Sequence, residues 1–465
     1  MPTPLFEPSA ALDIYNDFRV ILSETSGRTQ AALVRESGGG PSIVDPVDIA
    51  ITEGDLRDAL DAIHPADQQG PSRRGPQTVI DPIKDVGARL FNSLFRGTLG
   101  HAYSEALSIA ESTGKRLRVA IRVEDDSHRL SDLPWEFLFD PIRNDFLALS
   151  RRSILIREVS ARPMLERAPS RSPIKVLVIG APDPVGEMKT SHDADILAEI
   201  AKERALLVVT RLDRASRDDV IDALSKNQFS IIHFAGTGLD YESGNAMSHQ
   251  ILSLGTVSPD RPMLSEILGF DELRRPLSGQ HELQLVFLNA HHTHRIAQQL
   301  ATVIPAVVGI RDLVSVDFCL SFMQAFYSSI SRGASVEDAM TTARQRSDSA
   351  NPSGREWTMT LLYSHVIKPL YLVRLERMKH GPSTGDDKNI PRDPELRRTW
   401  QKLTQQRAID QTNLSSLEEQ RKSLLEIEGV RGVVHELLNL QMSEIRQRLR
   451  RLDEELTELQ QRDHS

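Results

Sequence analysis

From residue 174 to residue 346, short apolar runs alternate with amphipathic stretches, and few architectures accommodate that order. Ile174-Lys-Val-Leu-Val-Ile179, Leu206 to Leu212, Phe229 to Ala235, Leu285 to Ala290 and Ala306 to Ile310 read as strands. Between and after them, residues 193–204, 217–224, 295–300, 317–331 and 336–346 carry helical spacing. Strands apolar on nearly every residue are covered on both faces, as in sheets flanked by helices. The alternation therefore predicts an α/β fold with a largely parallel sheet.

The flanks differ. Before residue 80, Phe18 to Leu22, Gln30 to Val34 and Val47 to Ile51 are strand-like, Glu36 to Gly40 is a turn, and Thr52 is placed to cap a helix over residues 56–63. Residues 64–78 read as a loop. Leu90, Phe91, Leu94, Phe95 and Leu99 predict one long helix over residues 85–112, and Leu117 to Val123 a strand. Past a Gly- and Pro-rich linker the tail is rich in Leu, Glu, Gln and Arg. There Leu438, Met442, Ile445, Leu449, Leu452, Leu456 and Leu459 follow the alternating four- and three-residue spacing of a coiled-coil seam. Gly429 and Gly432 separate this stretch from an earlier helical one, which reads as an antiparallel hairpin; a continuous helix through Gly429 is the competitor. The expected organisation is a β-rich N-terminal α+β region over 1–80, an α/β domain over 81–375, a linker over 376–394 and a helical coiled-coil hairpin over 395–465.

Composition narrows the function classes. The 465 residues carry a formal charge of −9, which gives no reason to expect a nucleic-acid partner. A single cysteine, Cys319, excludes a disulfide within the chain and suits a reducing compartment. The N-terminal residues lack a secretory pattern, and no apolar run is long enough to span a bilayer, so a cytoplasmic location away from membranes is expected. No phosphate-binding glycine loop occurs, and no cofactor is expected.

Five motifs occur in order: Gly87-Ala-Arg-Leu-Phe91 with Leu94-Phe-Arg-Gly97; Leu133-Pro-Trp-Glu-Phe-Leu-Phe-Asp140 with Phe146-Leu-Ala-Leu-Ser150 and Ile156-Arg157; His233-Phe-Ala-Gly-Thr-Gly238; Leu288-Asn-Ala-His291; and Pro305-Ala-Val-Val-Gly-Ile-Arg311, leading to Phe322, Tyr327, Gly333 and Ala343-Arg344. Together they resemble the CHAT family, a bacterial branch of the caspase-like cysteine peptidases, over roughly residues 15–373. The resemblance implies a caspase-like sheet flanked by helices and a His–Cys dyad just past two strand ends, where open α/β sheets place their sites. It implies the histidine at position 237 and the cysteine at position 291. This chain has Thr237 and His291 there, while Gly236, Gly238 and Asn289 match the family pattern.

The chemistry of the dyad depends on those two residues. A cysteine peptidase needs a thiolate and a base to poise it. A threonine hydroxyl is no base near neutral pH, and Cys319 has the helical spacing with Phe322 and Phe326 of a packed thiol. Swapped roles, with His291 as base and Thr237 as nucleophile, form a rival reading. His291, His292 and His294 invite a metal, but they lack the spacing of a zinc site. His233, in an apolar run, reads as a buried histidine that supports the loop, and Glu136 as a partner of Arg157.

The expected function is therefore a pseudo-peptidase, not an enzyme: a protein-interaction or regulatory module in bacterial defence or signalling, a setting that the resemblance implies. Its cleft, bounded by His233, Gly236, Gly238, Asn289 and His292, keeps the capacity to take an extended peptide by strand addition. The heptad stripe must be buried, either inside its own hairpin or against a protein partner or second copy. An active caspase-like peptidase, an atypical Thr-His hydrolase and an assembly factor acting through its coiled coil stand as alternatives.

Overall fold

The computed structural model describes residues 15–25, 28–37, 40–43, 46–49, 54, 58, 80–124, 127–160, 173–181, 190–203, 207–243, 247–254, 267–351, 354–366, 368–372, 396, 399, 400, 403, 407, 414 and 433–463. The chain forms two compact units: Met1–Pro169, Lys175–Ile200 and Val209–Leu372, and Ser170–Ile174, Ala201–Val208 and Val373–Ser465.

The described strands are β1 (Tyr15–Thr25), β2 (Arg28–Ser37), β3 (Gly40–Ile43), β4 (Val47–Asp48), β5 (Arg116–Val123), β6 (Phe139–Asp140), β7 (Asp145–Phe146), β8 (Ser153–Glu158) and β9 (Ile174–Gly180). They continue with β10 (Leu207–Asp213), β11 (Ile231–Ala235), β12 (Thr237–Ser243), β13 (Met247–Ser253), β14 (Ile267–Leu268), β15 (Leu285–Asn289), β16 (Ala306–Ile310) and β17 (Thr360–Ser364). Twelve of them make one sheet in the order β10-β9-β11-β15-β16-β17-β8-β5-β1-β2-β3, with β4 beside β2. The run β9, β11, β15, β16 is parallel, as the alternation predicts; β17 turns antiparallel to β16.

Burial explains why these segments are strands. Every residue of β11, β15 and β16 is buried, so both faces of the sheet centre are covered by helices. On one face Val286, Leu288, Ile232 and Phe234 pack with Leu273 and Leu277 of the helix Phe270–Ser278 and Ile296 and Leu300 of the helix His294–Leu300. On the other, Phe287 meets Phe322, Phe326 and Tyr327 of the helix Val316–Ile330.

Three findings differ from the sequence reading. The long helix expected over residues 85–112 is two helices, Ile80–Leu94 and Gly97–Ser112, because Gly97, which opens the second, is at φ +56°, a left-handed conformation that glycine adopts at low cost. The N-terminal strands extend the main sheet: β1 pairs in parallel with β5 from Tyr15↔Arg116 to Leu22↔Val123. A separate three-stranded sheet, β12-β13-β14, follows β11 in a stretch where sequence patterning shows no strand. Of the helix expected over 56–63, only residue 58 is described; Thr52 and the loop 64–78 lie outside the described residues.

In the second unit the helix Val433–Asp463 buries Met442 and Ile445, with Leu414 and Leu449 packed against them. Arg407 pairs with Asp453. A lower number on one segment thus meets a higher number on the other, which is antiparallel packing. Leu452 and Leu456 are half-buried; the side chains of Leu438 and Leu459, and residues 429 and 432, lie outside what is described.

Candidate active-site cleft

Two parallel strand ends build the site. β11 and β15 stay in register to Ala235↔Asn289, and Gly236 N–H reaches the Asn289 carbonyl at 3.4 Å. Thr237 and His291 each stand two residues past that last pair, so register alone sets them side by side at the C-terminal edge. Both are half-buried.

Close backbone packing holds the two turns together. A Cβ placed on Gly238 would lie 2.1 Å from the His291 carbonyl oxygen and 2.9 Å from that of His292. One on Gly236 would lie 2.7 Å from Ala181 Cβ. Glycine at 238 lets the β11 turn lie against the β15 turn, and glycine at 236 lets it lie against the end of β9. His292 carries φ +51°, uncommon for a residue with a side chain and of a kind that clusters at functional sites. Thr293 then locks the turn: its N–H donates to the Ile310 carbonyl at 2.9 Å, and its hydroxyl donates to Ala290 O at 2.9 Å and accepts from Ile310 N–H at 3.0 Å.

Beneath the turns is a buried polar network. His233 Nε2 lies 2.9 Å from Asp193 Oδ2, and His233 Nδ1 lies 3.0 Å from the Tyr327 hydroxyl. Asn289 Nδ2 donates to the same Asp193 oxygen at 2.6 Å. A carboxylate only accepts, so the assigned tautomer has Nε2–H donating to Asp193 and Nδ1 accepting from Tyr327. Burial, followed by the Asp193 charge, holds the Tyr327 phenol well above its ordinary range, so it stays a donor. Phe287 stacks on the imidazole with centroids 5.1 Å apart. The network ties β11, β15 and the helices Thr190–Glu203 and Val316–Ile330 to one histidine. His233 is thus a fully covered supporting residue beneath the cleft.

On the other side, Gln250 of β13 accepts from Arg295 N–H at 2.7 Å and lies 3.4 Å from His294 Nδ1, joining the small sheet to the turn after His291. Burial, then the charges of Arg311 and Arg295, hold His294 well below the usual histidine range. An uncharged imidazole is what that setting admits.

Cys319 stands in the core. It is buried, and burial, then Asp193 and Glu356, push its thiol up. Glu136 and Arg157 pair as the sequence suggests, Nε to Oε1 at 2.9 Å and Nη2 to Oε2 at 2.6 Å. Among the described residues no cluster of three His, Cys, Asp or Glu side chains is arranged to hold a metal ion. Asp193 and Gln250 escape sequence reading as site residues, and Tyr327 is legible only as part of the fifth motif, because each reaches the site from a distant segment; the apolar context of His233 is the one local signal that it needs buried partners.

A CHAT-domain family model matches residues 84–357. Among solved structures, this chain is similar to the Saccharomyces cerevisiae separase–securin complex. One structure is 9% identical over 77% of this chain and 30% of that chain, with a TM-score of 0.43. A second is 8% identical over 76% and 30%, with a TM-score of 0.38. The chain thus spans about a third of the length of these structural relatives. None of the curated proteins matches it.

Proposed function

Because this chain belongs to the CHAT-domain family, we propose that it is a catalytically silent member, a peptidase-like fold retained as a protein-interaction and regulatory module. The reading rests on one observation. The two positions that stand side by side past Ala235 and Asn289 carry a threonine and a histidine, while the chain's one thiol is in the core. Attack on a peptide carbonyl requires a nucleophile and a base poised together. Thr237 supplies a weak nucleophile, and the buried carboxylate of Asp193 is engaged with His233 and Asn289. The cleft and the C-terminal helices then serve binding, in a defence or signalling complex of the kind the family resemblance implies.

The same adjacency favours a second reading, an atypical hydrolase with His291 as base and Thr237 as nucleophile. Incubation of the unmodified protein with a mixed peptide library separates the two. The proposal expects no cleavage beyond that of a Thr237→Ala, His291→Ala protein. Cleavage that both substitutions abolish would establish the hydrolase.

A further inference from the structure

Around the turn Leu133–Phe137 the buried charges do not balance. Glu136, Arg157, Arg311 and Arg344 are each at most 5% exposed. Glu136 is fully engaged by Arg157. Arg311 donates to the carbonyls of Asp132 and Leu133, and Arg344 to the hydroxyl and carbonyl of Thr360. Those acceptors are dipoles without net charge. Asp132 adds a carboxylate at the rim, where Arg295 already lies 3.4 Å from it, and Tyr363 faces Arg157 as a neutral ring. Among the described residues around this turn, the guanidiniums of Arg157, Arg295, Arg311 and Arg344 thus share the carboxylates of Glu136 and Asp132.

Donors are also left over. Arg311 Nε and Arg344 Nη1 are buried and, among the described residues, have no acceptor in reach. Both guanidiniums act on the Glu136 carboxylate, and the two residues meet consecutive positions where the turn Glu356–Met359 runs into β17: the Arg311 main-chain N–H donates to Met359 O at 2.8 Å, and the Arg344 side chain holds Thr360. Burial lowers both guanidiniums to about 10, with the Arg157 charge adding to it at Arg311, so both are still cations at neutral pH. A water molecule could accept from the orphan donors without offsetting the charge. An anion does both, and orphaned buried donors call for such an account.

We propose that Arg311 and Arg344, backed by Arg157, form a buried site for a small monovalent anion of the halide class. The enclosure of all three side chains restricts it to a few atoms. The site is independent of the cleft's chemistry and joins the Leu133–Phe137 turn to the start of β17.

The test is thermal unfolding of the full chain in sodium chloride or bromide against sodium gluconate at equal ionic strength. The halides are expected to raise the midpoint by about 2–4 °C with saturating dependence, and Arg311→Gln to remove the difference. Equal midpoints in the two salts, or a difference that Arg311→Gln leaves unchanged, overturn the proposal. If that variant does not fold, anomalous scattering from bromide-soaked crystals of the unmodified protein decides: a peak between Arg311 and Arg344 supports the site, and its absence there overturns it.

Discussion

Gly238 carries a backbone duty that no other residue can perform in place. Its missing Cβ is what permits contact with the His291 and His292 carbonyls, which are main-chain atoms with little room to yield. Gly238→Ala is expected to lower stability by about 1–3 kcal/mol, the usual range for overpacking, measured by chemical denaturation. An unchanged midpoint would show that the two turns are free to separate. His294 gives a pH signature. Its folded-state value lies below the ordinary 6.5, so the unfolded chain takes up a proton that the folded chain resists. Its contribution is therefore intact above about pH 6.5 and declines as pH falls below that value. His294→Gln, which cannot take the proton, is expected to flatten the loss of stability between pH 7 and about 5. Parallel slopes for the two proteins would contradict the assignment. At this scale the strand-end positions of Thr237 and His291 were legible because each sits in a short local motif. Asp193 and Tyr327 were not, since their partner His233 is chosen by packing across residues far apart in sequence.

Elements were legible where burial leaves a one-dimensional trace. β9, β11, β15 and β16 are apolar throughout because both faces are covered, and the sequence shows them directly. β12 and β13 escaped because a small sheet at the rim with polar residues leaves no such trace. The helix over 85–112 was misjudged because apolar periodicity continues across Gly97, where the backbone turns left-handed. The turn Leu133–Phe137 shows how a motif becomes a joint. Arg157 of β8 donates to the Ser131 and Leu133 carbonyls and grips Glu136, and Trp135 Nε1 donates to Leu130 O at 2.9 Å. Burial alone would push the Glu136 carboxyl up, but the Arg157 charge and hydrogen bonds outweigh it and hold the group below its ordinary range. Glu136→Ala leaves Arg157 buried and uncompensated, at an expected cost of about 3–5 kcal/mol. Adding Arg157→Met is expected to restore part of that loss in a double-mutant cycle; strictly additive losses would mean that the two side chains are not energetically coupled.

For the whole molecule, one continuous sheet carries the N-terminal strands and the two strands that end in the turns of the cleft, so the site is positioned by the register of β11 and β15. That arrangement makes the central claim testable by replacement alone. The cleft geometry is held by Gly236, Gly238, Thr293 and the His233 network, none of which the dyad positions themselves provide. Thr237→His with His291→Cys should therefore place a base beside a thiol without rebuilding the fold. The decisive measurement is labelling by a thiol-directed peptidase probe, together with peptide cleavage, of this double variant beside the unmodified chain. Labelling and cleavage are expected from the variant alone, since buried Cys319 is shielded in both. Cleavage by the unmodified chain, abolished by Thr237→Ala, would contradict it.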